Sequence, residues 1–220
     1  AWADGNKECS AAEAMVARQN FANWYQYYHV RMLTAQATLA KVVAQVSGIQ
    51  FALNTVGVVT TSFLPPTLVD STPEGEINRQ AVITAIFKAG WAEASTDLRK
   101  NYEEMGEYLA GEINKSGRPA PWATEEDGGA CQLSFVILMT DAQYNKSSVA
   151  QPGDADGNTD GSYDSDFDGP PFADAHGQAD TLADIAMKFY ETDLNPDLPN
   201  SVPTTVKDTA EHQHMVTFSV

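Results

Sequence analysis

Cys131-Gln132-Leu133-Ser134-Phe135-Val136-Ile137-Leu138-Met139-Thr140-Asp141 is the stretch on which the fold turns. Phe135 to Met139 are consecutive apolar residues, too many for a strand with one wet face. Such a run predicts a strand buried on both sides, as in the middle of a parallel sheet covered by helices. It stops at Thr140-Asp141. In open α/β sheets the carboxyl ends of central strands open onto the crevice where ligands bind. A carboxylate there is costly to bury without a partner, and a metal ion is an effective one. Asp141 is therefore the first candidate site residue.

Working outward, Phe21, Tyr25, Tyr28, Met32, Ala35, Leu39, Val43 and Val46 recur at spacings of three and four. They predict one long helix of about 27 residues that ends at Ser47-Gly48. Ile49 to Val56 alternates with period two and reads as a strand. Val58 to Leu64 suggests an edge strand closed by Pro65-Pro66. Thr72-Pro73-Glu74 opens a helix that ends near Gly90. A further helix follows Asp97, with Leu98, Tyr102, Met105 and Leu109 on one face and a stop at Gly111. Thr181 to Asp184 is a capping-box variant opening a helix with Leu182, Ile185, Ala186 and Phe189 inward. His214 to Val220 reads as the last strand. The order is an α/β pattern, and residues 1–220 are taken as one partial domain. Its first strand, expected ahead of the long helix, is missing from the pattern.

The chain has 220 residues, 43% of them apolar, enough for one well-cored domain. Thirty acidic against 13 basic residues give a net charge of −17, which argues against nucleic acid and anionic membranes as partners. No apolar run is long enough to span a membrane. No signal peptide is visible and the first residue is Ala1, so a processed chain or a piece of a longer one is expected. Cys9 and Cys131 are far apart and form no CxxC motif. In an exported protein they would most simply form one disulfide, closing a loop worth roughly 4 kcal/mol; in the cytosol they would be two free buried thiols.

Residues 150–180 differ from the rest, holding eight Asp, five Gly and three Pro with no Lys or Arg. Such an insert cannot build a core and is expected to be disordered unless a ligand orders it. From Asp156 it reads D-x-N-x-D-G, the start of an EF-hand-type loop. The expected calcium ligands are Asp156, Asn158, Asp160, Ser162, Asp164 and Asp168. Position 12 of such a loop, normally a bidentate acid, is Phe167. His212 and His214 could form a zinc pair, with no third ligand in view. None of the GxSxG, HExxH, P-loop or GxGxxG motifs occurs.

Several segments together resemble the PilY-type proteins, tip-associated adhesins and biogenesis factors of bacterial type IV pili. They are Gln19-Asn-Phe-Ala-Asn-Trp-Tyr-Gln-Tyr-Tyr28, Phe135 to Asp141, Gly157-Asn-Thr-Asp-Gly161, Thr181 to Met187 and Gln213-His-Met-Val-Thr-Phe218. The resemblance covers roughly residues 17–220 in order. It implies a von Willebrand factor A-like domain, a doubly wound, mostly parallel sheet with helices on both faces. In that fold a divalent cation, usually Mg²⁺, sits at the carboxyl end of the sheet. Ala94-Ser-Thr-Asp-Leu-Arg99 resembles the family's threonine loop, which makes Thr96 the threonine ligand, and Asp141 falls on the aspartate position. The family's DxSxS motif is absent, and Ser95, Asp97 and Ala142 depart from the family pattern.

The function implied is that of a non-enzymatic adhesion and assembly module at the tip of a pilus, outside the cell and reached through the periplasm. Its expected partners are minor pilins or other tip subunits and a host or surface ligand, with Mg²⁺ and Ca²⁺ as candidate ions. The alternative is a secreted, calcium-stabilised α/β hydrolase using Asp141. Phosphatases with a strand-end aspartate carry a second one two residues later, where Gln143 stands. A third reading is a purely structural part of the tip complex.

Overall fold

A computed structural model describes residues 10–55, 64–89, 98–113, 117, 119–140, 152–159, 165–169 and 177–220. The architecture is mixed α/β. The chain divides into two compact units, residues 1–53 with 66–89 and residues 54–65 with 90–220.

The first unit carries α1 (Ala11–Tyr28), α2 (Arg31–Gln45), β1 (Ile49–Leu53), most of β2 (Leu64–Val69) and α3 (Pro73–Lys88). The long helix expected from Phe21 to Val46 is in fact two. At the break, the His29 ring stacks on Tyr25 and its Nδ1 donates to the Tyr25 carbonyl, the acceptor the helix would otherwise use. Val30 then turns extended, and the Thr34 hydroxyl donates to the carbonyls of Tyr28 and Val30. No residue of α1 is buried, so no core contact forces it to continue the line of α2. Its aromatic residues Phe21, Trp24 and Tyr25 are at least half exposed.

α2 packs on α3 and buries Gln36, Ala40 and Val43, while α3 buries Gly75, Val82 and Ile86. Gln36 crosses this interface, its Nε2 donating to the Ile86 carbonyl at 2.9 Å. α3 starts as expected, with the Thr72 hydroxyl accepting from Gly75 N and Pro73 in the first turn. β2 contains Pro65 and Pro66 rather than ending before them. Among the described residues β1 and β2 pair only with each other, and an edge strand tolerates proline because one side needs no ladder bond.

The second unit carries α4 (Leu98–Leu109), a 3₁₀ turn (Gly129–Cys131), β3 (Ser134–Leu138), α5 (Leu182–Glu191) and β4 (Met215–Ser219). β3 and β4 run parallel in register Ser134 to Met215 through Leu138 to Ser219. Tyr102, Leu109, Ile185, Phe189, Leu194 and Met215 form its core, with Val136, Leu182 and Ala186 packed against them. At the α4–α5 crossing, a Cβ added to Gly106 would lie 2.1 Å from the Phe189 ring, so only glycine allows this approach.

The expectation that β3 is buried on both faces is corrected. Its side chains alternate, Val136 facing the core while Phe135 and Ile137 stand 53% and 61% exposed. Phe218 of β4 lies beside Phe135 on that outer face, ring centroids 6.1 Å apart. An unbroken apolar run hides the period-two signal that would have separated the two faces.

Candidate functional site

Two places were singled out by sequence, the end of β3 and the acidic insert. The parallel pairing runs on past β3, since Val220 N donates to the Leu138 carbonyl at 2.9 Å and Thr140 N to the Val220 carbonyl at 3.2 Å. The chain thus reaches Thr140 at the carboxyl end of the sheet. Asp141 and Thr96 lie outside the described residues. Cys131 is an exposed free thiol at the end of the 3₁₀ turn, so the expected Cys9–Cys131 disulfide is not seen among the described residues, and Cys9 lies outside them.

Within the insert, Asp160, Ser162 and Asp164 also lie outside the described residues, but Asp156, Asn158 and Asp168 are placed. The described parts form turns, one tied to Asp180 ahead of α5 and one held on α5 itself. Gly153 N donates to Asp180 Oδ1 at 3.0 Å and Asp180 N to the Gly153 carbonyl at 2.9 Å. Ser165 Oγ donates to Glu191 Oε2 at 2.7 Å, and Phe167 meets Tyr190 edge-on at 5.1 Å. Aspartate side chains supply the acceptors that these turns need, a local economy that net composition does not reveal.

Of the expected calcium ligands that are described, Asp156 and Asn158 are hydrogen-bonded to each other. Asp168 is turned into its own loop, where it accepts from Ser165 N at 3.0 Å and from Ser165 Oγ at 3.3 Å. Asp156 instead gathers with Asp154 and Asp184, one carboxylate oxygen of each lying within 4.8 Å of the others. Asp156 and Asp184 are fully buried, and Asp154 is half-buried.

Each carboxylate is held by local hydrogen bonds. Asn158 N donates to Asp154 Oδ1 at 3.2 Å and to Asp156 Oδ1 at 3.3 Å, Asn158 Nδ2 to Asp156 Oδ2 at 2.8 Å, and Thr159 N to Asp154 Oδ2 at 2.9 Å. Asp184 is the third residue of α5 and completes the capping box. Its Oδ2 accepts from Thr181 N at 2.8 Å and Thr181 Oγ1 at 2.9 Å, while its buried Oδ1 makes no hydrogen bond. Sequence reasoning used Asp184 only as a helix-start signal and passed over Asp154, because their meeting depends on the chain returning to α5.

The histidines are committed elsewhere. His212 Nε2 pairs with the Tyr190 carbonyl at 2.9 Å, and His214 Nδ1 with the His212 carbonyl at 2.7 Å. His214 Nε2 lies 3.0 Å from Asp208 Oδ1, which also accepts from the Tyr190 hydroxyl at 3.0 Å. Burial pushes that hydroxyl's pKa above its ordinary value. His214 Nδ1 is thus engaged by a backbone carbonyl, while its buried Nε2 faces the Asp208 carboxylate without a hydrogen bond, an arrangement that gives no support to a zinc pair.

No family model and no solved structure matches the chain. Curated proteins do. The chain is 29% identical over 242 residues to type IV pilus biogenesis factor PilY1 of Pseudomonas aeruginosa strain UCBPP-PA14, covering 98% of this chain and 20% of that protein. Against PilY1 of strain PAO1 the identity is 30% over 235 residues, covering 92% of this chain and 20% of the relative. Against PilY1 of strain PAK it is 28% over 236 residues, covering 92% and 19%. The chain therefore spans about a fifth of the length of the curated relatives it matches. Along nearly its whole length, the chain is similar to a segment of the PilY1 pilus biogenesis factors.

Proposed function

We infer that this chain is a non-enzymatic adhesion and assembly module of a pilus-associated protein. It would bind minor pilins or other tip subunits, or a surface ligand, outside the cell. The observation that carries this reading is the match to PilY1, which includes 92–98% of the chain. The surface agrees with a binding role. α1 presents Phe21, Trp24 and Tyr25, and the outer face of the β3–β4 sheet presents Phe135, Ile137 and Phe218. Contiguous exposed apolar side chains of this kind mark interaction surfaces more often than solvated ones.

A von Willebrand factor A-like arrangement for the second unit is part of the same reading. It is supported by the parallel pairing of β3 and β4 and by Thr140 at their carboxyl end. A Mg²⁺ there would draw on Thr96 and Asp141. Such an ion takes about six oxygens in strict octahedral geometry, and with no DxSxS in the sequence these two residues do not make up the set. The proposed binding role is therefore assigned without that ion.

Deleting the segment from its gene in a piliated strain tests the reading. Surface pilus number and attachment should fall while the remainder of the protein is still made. Normal piliation and attachment at normal protein level would rule it out.

A further inference from the structure

We propose that Asp154, Asp156 and Asp184 form a binding site for a hard divalent cation, calcium by preference, which fastens the acidic insert to the first turn of α5. The inference is independent of the pilus reading. Three carboxylates alone would be weak ground, since acidic groups often gather without an ion. The second observation is Asp184 itself. It has no solvent exposure, its Oδ2 is used by the Thr181 cap, and its Oδ1 is buried with no hydrogen-bond partner. A buried carboxylate oxygen without a donor is costly, and a bound cation beside two further carboxylates removes that cost.

The donor chemistry selects the ion. All three groups are carboxylate oxygens, which suit Ca²⁺ or Mg²⁺ rather than softer metals. Calcium bonds oxygen at about 2.3–2.6 Å, so two of its ligands stand at most about 5 Å apart. Three oxygens spread evenly round a calcium stand about 4–4.5 Å apart, so carboxylate oxygens within 4.8 Å of one another need at most a small inward shift to hold one. Magnesium, at about 2.0–2.1 Å, needs three evenly spread oxygens drawn in to about 3.5 Å, a larger shift than calcium asks. Asn158 and Thr159 donate their backbone N–H groups to Asp154 and Asp156, which orients these carboxylates as outer hydrogen bonds do around a metal. The site joins two segments far apart in sequence, and its loss should loosen one from the other.

The test uses the 220-residue chain stripped with chelator. Calcium chloride is titrated by calorimetry, with limited proteolysis of residues 152–180 followed in parallel. One calcium should bind per chain, and cleavage in the insert should slow at least fivefold at saturation. Asp154→Asn should weaken binding at least tenfold. Asp184→Asn should do the same while keeping an acceptor for the Thr181 cap. Exposed Asp166→Asn should bind as the parent does. Circular dichroism of each variant without calcium shows whether it is folded, and Asp154→Asn serves if Asp184→Asn is not. No calcium binding by the parent overturns the proposal, as does undiminished binding by a folded Asp154→Asn chain. Equal affinity for magnesium chloride overturns the stated preference.

Discussion

Gly153 and Asp180 close the acidic insert with two reciprocal hydrogen bonds, each residue donating its backbone N–H to the other. Asp180 adopts φ 61°, which is uncommon for a residue other than glycine. Aspartate and asparagine tolerate it best. Its carbonyl also accepts from Arg99 Nη1 of α4 at 2.6 Å. Asp180→Ala should therefore lower stability by about 1–3 kcal/mol, combining an unsatisfied Gly153 N–H with left-handed strain. Asp180→Asn keeps an acceptor and tolerates the backbone, so its change should stay within about 0.5 kcal/mol. Urea unfolding of both variants checks this, and equal loss in the two would refute the clamp.

Gly106 to Ala is a second test, because its sign is opposite to the usual one. In an exposed helix interior, replacing glycine with alanine stabilises by about 1 kcal/mol. Here the added Cβ would stand 2.1 Å from Phe189 Cδ2 at the crossing of α4 and α5. The helices must separate or the ring must move, at a cost of about 1–3 kcal/mol. Thermal unfolding should show a lower midpoint than the parent. A raised midpoint would mean that the two helices are not in contact as described.

What could be read in advance was local. Thr72-Pro73 and Thr181 to Asp184 announced α3 and α5, because capping involves residues within one turn. Leu98, Tyr102, Met105 and Leu109 marked the inward face of α4, and all but the half-buried Met105 are buried. The features that escaped depend on competition or on distance in sequence. His29 ends α1 by taking a helix carbonyl, which no period of apolar residues encodes. Phe135 and Ile137 belong to an apolar run yet face outward. Asp154 and Asp184 meet only because the insert folds back to its own end. The EF-hand pattern reads contiguous ligands along the chain, so it could name Asp156 but not the carboxylates of Asp154 and Asp184 that meet it in space.

Arg79 offers a test within the first unit. Its Nη1 donates to the carbonyls of Val43 and Val46 at 2.5 and 2.6 Å, at the end of α2, and its Nη2 to the Asp70 carbonyl at 3.3 Å. The last carbonyls of a helix have no partner inside it, and a cation placed there also favours the helix dipole. Arg79→Lys retains the charge but loses the planar fork that reaches three carbonyls. It should destabilise by about 1–2 kcal/mol and Arg79→Ala by about 2–3 kcal/mol, read by urea unfolding. A lysine variant as stable as the parent would show that charge alone suffices.

Tyr102 sets a limit to stability in alkali. It is 2% exposed in the core of the second unit, its hydroxyl bonded to Thr217 Oγ1. Burial pushes its pKa from 10.0 up to about 12, with the Thr217 bond opposing. The folded state therefore holds this proton more tightly than the unfolded chain does. The contribution is complete below pH 10 and is lost as pH rises through about 12. At about 1.4 kcal/mol per unit, the loss approaches 2–3 kcal/mol. Tyr102→Phe has nothing to titrate, so its stability relative to the parent should be constant from pH 7 to 9. Above pH 10 the parent should lose ground to it. Urea unfolding of both chains across that range measures the difference, and a gap that stays constant to pH 12 would place Tyr102 in contact with water.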